Sequence, residues 1–527
     1  MRKTKETGRQ LQNEKKSLKR RQFFRLGSLV AAITGAAATT AGTAASANAV
    51  PGDGADITTY VPTTEKGAAL GVATLDTQSK IPFAQLPDLS ATYARVFAVD
   101  ALYADGVMDA TSHIQSKIDM ASAVGGGVVS IPPGQFRLTR SNDIASLLLL
   151  PNVVIRGSGP VTHLFLDPRT APSPTRYHVL RIGTENSGAD NVVVEDLKLT
   201  ANHASIGGGS ILGIGARHTG NKLASSNNIT VRRCHIHDTQ IAVCASKDGG
   251  DGLEEGQDRI KAQFRNWLVQ DCVLTLCGNK MVEFSETNGA RCVGNRMIRC
   301  YAGPQAIFFS QNIVFEKNYV SYTDSGLNIA AGAHDIDIVC NTFEADDAIH
   351  PSVSNGAIFL RTEPTVGRSY SIHNIRSRGN VYRDRHTRSR RVLKFQTRAE
   401  NAEANYQLIT FIGDIFDGSI YFDDVTSPAK TSITEFLFSD CTIEGDFFND
   451  SSSTLASYTD NELRGCLMRK PGGYVLNASG WALVGNRIKS ELTISAGATN
   501  NVIQANRIQG RLVDWGLGTV KANNVTG

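Results

Sequence analysis

Leu268-Val-Gln-Asp-Cys272, Arg291-Cys-Val-Gly-Asn295, Val314-Phe-Glu-Lys-Asn318 and Asp337-Ile-Val-Cys-Asn341 end in Cys or Asn at steps of 23 residues, and this recurrence decides the fold. Each is a short run with alternating apolar residues. The same ending recurs upstream at Gly157, Asp196 and Cys234, and downstream at Asn380, Asp414, Cys441, Cys466, Asn486 and Asn506, the last two steps being 20 residues. Longer steps leave room for loops. A period of this size predicts a solenoid of about 13 coils, in which equivalent residues stack ~4.8 Å apart. Asn side chains so stacked can hydrogen-bond along the column where the backbone bends, and Cys fills the same slot. Cys234, Cys272, Cys441 and Cys466 therefore read as structural. The nine cysteines form no C-x-x-C pair and no zinc spacing with His.

A second strand follows most of these endings: Ile241-Ala-Val-Cys-Ala, Met281-Val-Glu-Phe-Ser, Ala306-Ile-Phe-Phe-Ser, Leu327-Asn-Ile-Ala-Ala, Ala357-Ile-Phe-Leu-Arg and Val392-Leu-Lys-Phe-Gln. Stacked in that register, strand alternation sends Ala242, Val282, Ile307, Ile358 and Leu393 inward and Glu283, Phe308, Phe359 and Lys394 outward. Asn328 then interrupts the inward column. The outward stripe mixes aromatic and charged groups, as a sugar-binding face requires.

The chain has 527 residues, 41% hydrophobic and 20% charged, a composition that fits a folded protein and excludes a disordered or multi-span chain. Residues 1–49 hold ten Lys and Arg against Glu6 and Glu14, and removing that +8 from the formal +4 leaves the remainder near −4. The basic balance is thus confined to the N-terminus and points to no nucleic acid. Lys19-Arg-Arg-Gln-Phe-Phe24 resembles the twin-arginine export motif, and a Gly/Ala/Thr-rich run follows, ending at Ala47-Asn-Ala49. The resemblance implies a signal peptide over 1–49, secretion, and no membrane association after cleavage. Residues 50–95 read as a linker or stalk; Gly71 to Pro87 resembles the neck segments of phage tail appendages, which implies a homotrimer.

Ala104 to Asp119 carries Ile114, Ile118 and Ala121 at helical spacing after an Asp/Thr cap, and Val128 to Ile131 then reads as a strand closed by Pro132-Pro-Gly134. Together these resemble the start of the pectate-lyase superfamily domain. The resemblance implies a right-handed parallel β-helix over residues 96–527 with an N-terminal capping helix.

Glycosidic bonds are cleaved by two carboxyl groups in unlike environments. Asp324 lies six residues after Asn318 and Asp347 six after Asn341, with Asp346 beside it, so a regular ladder sets them face to face; a second register puts Asn355-Gly356 on Asp324 instead. The stretch from Tyr322 to His350 resembles the active-site region of polygalacturonase-type glycosidases. That implies Asp324, Asp346 and Asp347 as general acid and water-positioning groups. The family's Asn-Thr-Asp motif has Tyr322 in place of its Asn, no Gly-His-Gly follows, and Arg391-Val-Leu-Lys394 is one residue longer than Arg-x-Lys.

Between Arg376 and Arg398 stand eight arginines and Lys394, with Asp384 the one acid. Such a run is either a solvated face or a site for acidic sugars, since guanidinium groups pair bidentately with carboxylates. His386 shares the coil offset of Asp324 and Asp347. Glu283, preceded by Cys277-Gly-Asn279, resembles inulin fructotransferases. Asp248, Asp251, Glu254 and Glu255 form either an acidic loop or a Ca²⁺ site.

These features predict a secreted enzyme on an acidic, pectin-like polysaccharide. Hydrolysis by the three aspartates without a cofactor comes first, with Glu283, Phe308, Phe359, Arg361, His386, Arg391 and Lys394 binding substrate. The alternatives are a lyase using Arg361, Arg391 or Lys394 as base with Ca²⁺ as an optional partner, a fructotransferase-like enzyme, and a non-catalytic tailspike-like binder.

Overall fold

The computed structural model describes residues 95–170, 176–206, 210–218, 223–247, 263–345, 355–362, 371–384, 391–397, 404–425, 431–447 and 457–527. Outside them fall the expected export segment 1–49, the linker up to residue 94, the acids between Asp248 and Glu255, and Asp346, Asp347 and His386.

The described strands form sheets of 17, 22 and 3 strands. The pairing is parallel from coil to coil: Val269 lies beside Cys292, Cys292 beside Phe315, and Phe315 beside Ile338. Those steps repeat the 23-residue period. Parallel neighbours reached by one turn of chain make a solenoid, and the described residues form a right-handed parallel β-helix. Alternation explains each wall. In Gln311–Glu316, Ile313 and Phe315 point into the core while their neighbours point away. Inside, aromatic rings stack along the axis, Phe343 on Tyr382 at 5.4 Å between centroids and Tyr382 on Phe416 at 5.2 Å.

The recurring endings form a hydrogen-bonded column. Cys272 N donates to Asn295 Oδ1 at 2.9 Å, Asn295 N to Asn318 at 3.0 Å, Asn318 N to Asn341 at 2.9 Å, and Asn341 N to Asn380 at 2.7 Å. Asn380 N then donates to Asp414 Oδ1 at 2.6 Å. A second run joins Cys466, Asn486, Asn506 and Asn524. The residue before each member turns the corner in a left-handed conformation, as at Asp271, Gly294, Lys317, Cys340 and Gly379. Asp196 is such a corner, with φ 57°, so the member there is Leu197, whose carbonyl receives His235 N as the Cys234 carbonyl receives Val273 N. No disulfide joins the nine cysteines, and eight of them are buried.

A helix spans Thr111–Ala123, with Thr111, Ile114, Ile118 and Ala121 buried against strands that include Gly127–Ser130 and Ala145–Leu149. Asp109 Oδ1 receives Thr111 N at 3.0 Å ahead of its first turn.

The structure corrects the register of the second strands. Glu283 pairs with Gln305 and Phe284 with Ala306, so Ala306 to Ser310 is displaced by three residues from the alignment that the sequence suggests. Irregular pairing between Cys277 and Lys280, and again around Cys300, absorbs the difference where these long strands bend. Phe308 consequently lies past the end of strand Arg296–Ile307, at a corner with φ 49°, and packs on Ile307, Ala330 and Ala331. It belongs to no outward stripe. Ile307 joins that small cluster instead of the main core, and Asn328 belongs to the outward column, between Gln305 and Phe359.

Candidate functional site

One column crosses the 22-stranded sheet on the side facing away from the core. Its consecutive ladder partners are Arg181, Gly215, Cys244, Glu283, Gln305, Asn328, Phe359, Lys394 and Tyr421. Neighbours on either side of each strand, such as Val282 and Phe284 or Ile358 and Leu360, fill the core, which is why these positions face out. Although outward, Glu283, Gln305, Asn328, Phe359 and Lys394 are buried.

Their polar groups are linked. Lys280 Nζ donates to Glu283 Oε2 at 3.3 Å, and Gln305 Nε2 donates to the same oxygen at 2.8 Å. Farther along, the Lys394 ammonium and the Arg361 guanidinium each lie 5.5 Å from the centre of the Phe359 ring, one aromatic ring serving two cations. Arg391 lies over Tyr421 at 4.9 Å.

Asp324 stands beside this column on strand Tyr319–Ala330. Ser325 pairs with Gly356, which places Asn355 next to Asp324: Asn355 Nδ2 donates to Asp324 Oδ1 at 2.8 Å, and Asn355 N to the Asp324 carbonyl at 2.6 Å. Of the two registers open to the sequence, the one with Asn355 at this place is present. Lys394 Nζ donates to Asn355 Oδ1 at 3.2 Å, so the amide joins the carboxylate to the lysine. Burial raises the Asp324 carboxyl above the ordinary aspartate range, opposed by hydrogen bonds from Asn355 and Ser325 and by the charges of Lys394 and Arg361. On the adjacent coil, the charge of Asp324 raises the Tyr301 phenol, which also donates a hydrogen bond to it.

Of the residues singled out in the sequence, Asp324, Glu283, Phe359, Arg361, Arg391 and Lys394 fall on this one sheet, and Phe308 is at a corner. Sequence reasoning missed Tyr301 and Gln305 and placed Asn328 in the inward column, because the register slip hid their places. Asn355 was detectable from the register that stacks Asn355-Gly356. A cleft of about 550 Å³ opens beyond Ser419, the partner of Arg391, and is lined by Asp384, Asp417, Glu444, Asp446 and Lys470. Its walls carry internal ion pairs, Asp417 with Arg383 at 3.1 Å and Asp446 with Lys470. Among the described residues no group of three or more His, Cys, Asp or Glu is arranged to hold a metal ion.

No protein-family model matches the chain. Over 104 residues, 19% of its length, it is 36% identical to the mannuronan C5-epimerase AlgE6 of Azotobacter vinelandii, and that stretch is 12% of the relative. Among solved structures, the A-module of the same epimerase is similar over 82% of this chain and 99% of its own, at 16% identity and TM-score 0.47. The Streptococcus pneumoniae surface adhesin PfbA is similar over 82% and 92%, at 11% identity and TM-score 0.45. A tailspike protein of E. coli bacteriophage HK620 in complex with a hexasaccharide is similar over 81% and 80%, at 12% identity and TM-score 0.49.

Proposed function

We propose that the protein binds an acidic polysaccharide along the outward column and cleaves it hydrolytically at Asp324, which acts as general acid. The observation that carries this reading is the placement of a carboxyl raised by burial next to Tyr301, Asn355, Lys394, Arg361 and Phe359. A raised carboxyl keeps a proton available for a leaving glycosidic oxygen. Lys394 and Arg361 supply positive charge for a uronate, and Phe359 an apolar floor between them. The second carboxyl that hydrolysis requires is assigned to Asp346 or Asp347, which lie within one coil of Asp324 in sequence.

A second reading is favoured by the similarity to a mannuronan C5-epimerase. In it the same cations neutralise a uronate, Tyr301 and Asp324 exchange the C5 proton, and the sugar is epimerised or loses its 4-substituent. Incubating the protein with a panel of acidic polysaccharides in D₂O separates the two. New reducing ends without ultraviolet-absorbing product or deuterium at C5, abolished by Asp324→Asn, support hydrolysis. Deuterium at C5 or an unsaturated product supports the second reading, and binding without turnover in either assay refutes both.

A further inference from the structure

We propose that Arg181 anchors an anion-binding subsite for the acid groups of the glycan, at the N-terminal end of the column that carries Asn328 and Lys394. This rests on the reading that the column holds an acidic polysaccharide, and it assigns one source of that preference to a residue far from Asp324.

Arg181 lies on strand Arg176–Ile182 and is 1% exposed. Its Nη2 donates to the Arg217 carbonyl, while Nε has no hydrogen-bond partner. No carboxylate among the described residues reaches ion-pair distance of it, although Glu185 acts on it from farther away. A buried guanidinium with one neutral acceptor is costly, and an anion offering two oxygens in its plane removes that cost.

The surroundings favour such an occupant. Arg176 and Arg217 act electrostatically on His178 and Cys244 together with Arg181, so three guanidinium groups converge there. His178 Nε2 lies 3.5 Å from Cys244 Sγ. Burial holds the imidazole well below its usual range and pushes the thiol up to about 12, leaving both neutral and neither competing for the arginines as an anion. Between Arg181 and Cys244 the column has Gly215, where a Cβ would come within 2.4 Å of Cys244 Sγ, so the neutral thiol packs directly on the glycine next to Arg181.

Five ladder steps separate Arg181 from Asn328, ~24 Å at the coil spacing, so only a long oligosaccharide engages both ends. Uronate carboxylates, sulfate esters and inorganic anions share the required chemistry, and calorimetric titration of the full chain distinguishes them. The titrants are short and long oligouronides, a sulfated oligosaccharide of the longer length, and inorganic sulfate, each tested on wild type, Arg181→Met and Arg181→Lys.

The expected result is a loss of about tenfold or more in affinity for the long oligouronide in Arg181→Met, partial recovery in Arg181→Lys, and unchanged binding of the short one. Arg181→Lys alone carries the comparison if thermal melting shows that Arg181→Met does not fold. Equal affinity of all variants for the long oligouronide overturns the subsite while leaving the binding face intact. Arg181-dependent binding of the sulfated glycan alone, or of inorganic sulfate alone, overturns the uronate assignment. No glycan binding by wild type overturns the underlying reading itself.

Discussion

At the scale of single residues, two aspartates illustrate opposite uses of burial. Asp414 occupies an Asn place in the hydrogen-bonded column, accepting from Asn380 N at 2.6 Å and Ser377 Oγ at 2.8 Å, and burial raises it from 3.8 to about 6. The folded protein therefore binds this proton more tightly than the unfolded chain. Its contribution is full below pH 3.8 and is lost as the pH rises to about 6, a difference of about 2–3 kcal/mol. Asp414→Asn restores a neutral amide, so melting followed by circular dichroism is expected to show a more stable variant at pH 7 and little difference at pH 4. Asp324, also raised, has to be protonated to act as an acid. Glycan cleavage is therefore expected to fall on the alkaline side at a pH above the ordinary aspartate range, and a kcat/KM profile measures that limb. Asp324 was legible because its distance from Asn318 is short and regular. Asn355 was legible as the neighbour that one of two registers gives Asp324, whereas Tyr301 was not, since its role arises only once neighbouring coils are set side by side.

At the scale of strands, the repeat was plain in the sequence and the fine register was not. Endings such as Asn295 and Asn318 recur because each must satisfy the backbone of the coil before it. Nothing comparable marks the second strands, where irregular pairing at Cys277 and Cys300 moved Glu283 onto Gln305 and left Phe308 at a corner. The glycines hold that register. A Cβ on Gly303 would lie 1.9 Å from the Gly326 carbonyl oxygen, and one on Gly326 would lie 2.4 Å from that of Ala357. Neither glycine adopts a left-handed conformation, so the constraint is close approach of backbones. Gly326→Ala is expected to push strand Tyr319–Ala330 away from Gly356–Thr362 and separate Asp324 from Asn355. The predicted loss is about 2 kcal/mol or more in denaturant unfolding and most of the activity of whatever protein remains folded.

At the scale of the whole molecule, a coil touches mainly the coils before and after it, so stability accumulates along the axis. The last coil leaves Trp515, Leu517, Val520 and Val525 exposed, at 68%, 74%, 58% and 63%. Hydrogen exchange is expected to be fastest at Val520–Ala522 and Val525–Thr526 and to slow progressively toward Asn461–Arg464, as in a stack that frays from one end. Equal protection across these strands would contradict a nearest-neighbour description. The solenoid was legible from sequence because its period recurs over many coils, whereas the proposed binding face belongs to a few coils whose spacing is irregular.

The asparagine column also bears on descent. Each asparagine member hands its neighbour the same pair of groups, an acceptor for a backbone N–H and a donor for a backbone carbonyl, so the junctions made by asparagines are chemically interchangeable. A duplicated segment of one period would splice into the stack with both its junctions already satisfied. On the proposed reading, the length of glycan held along the column then changes in whole coils through a single genetic event, leaving the proposed reacting residues on a neighbouring coil untouched.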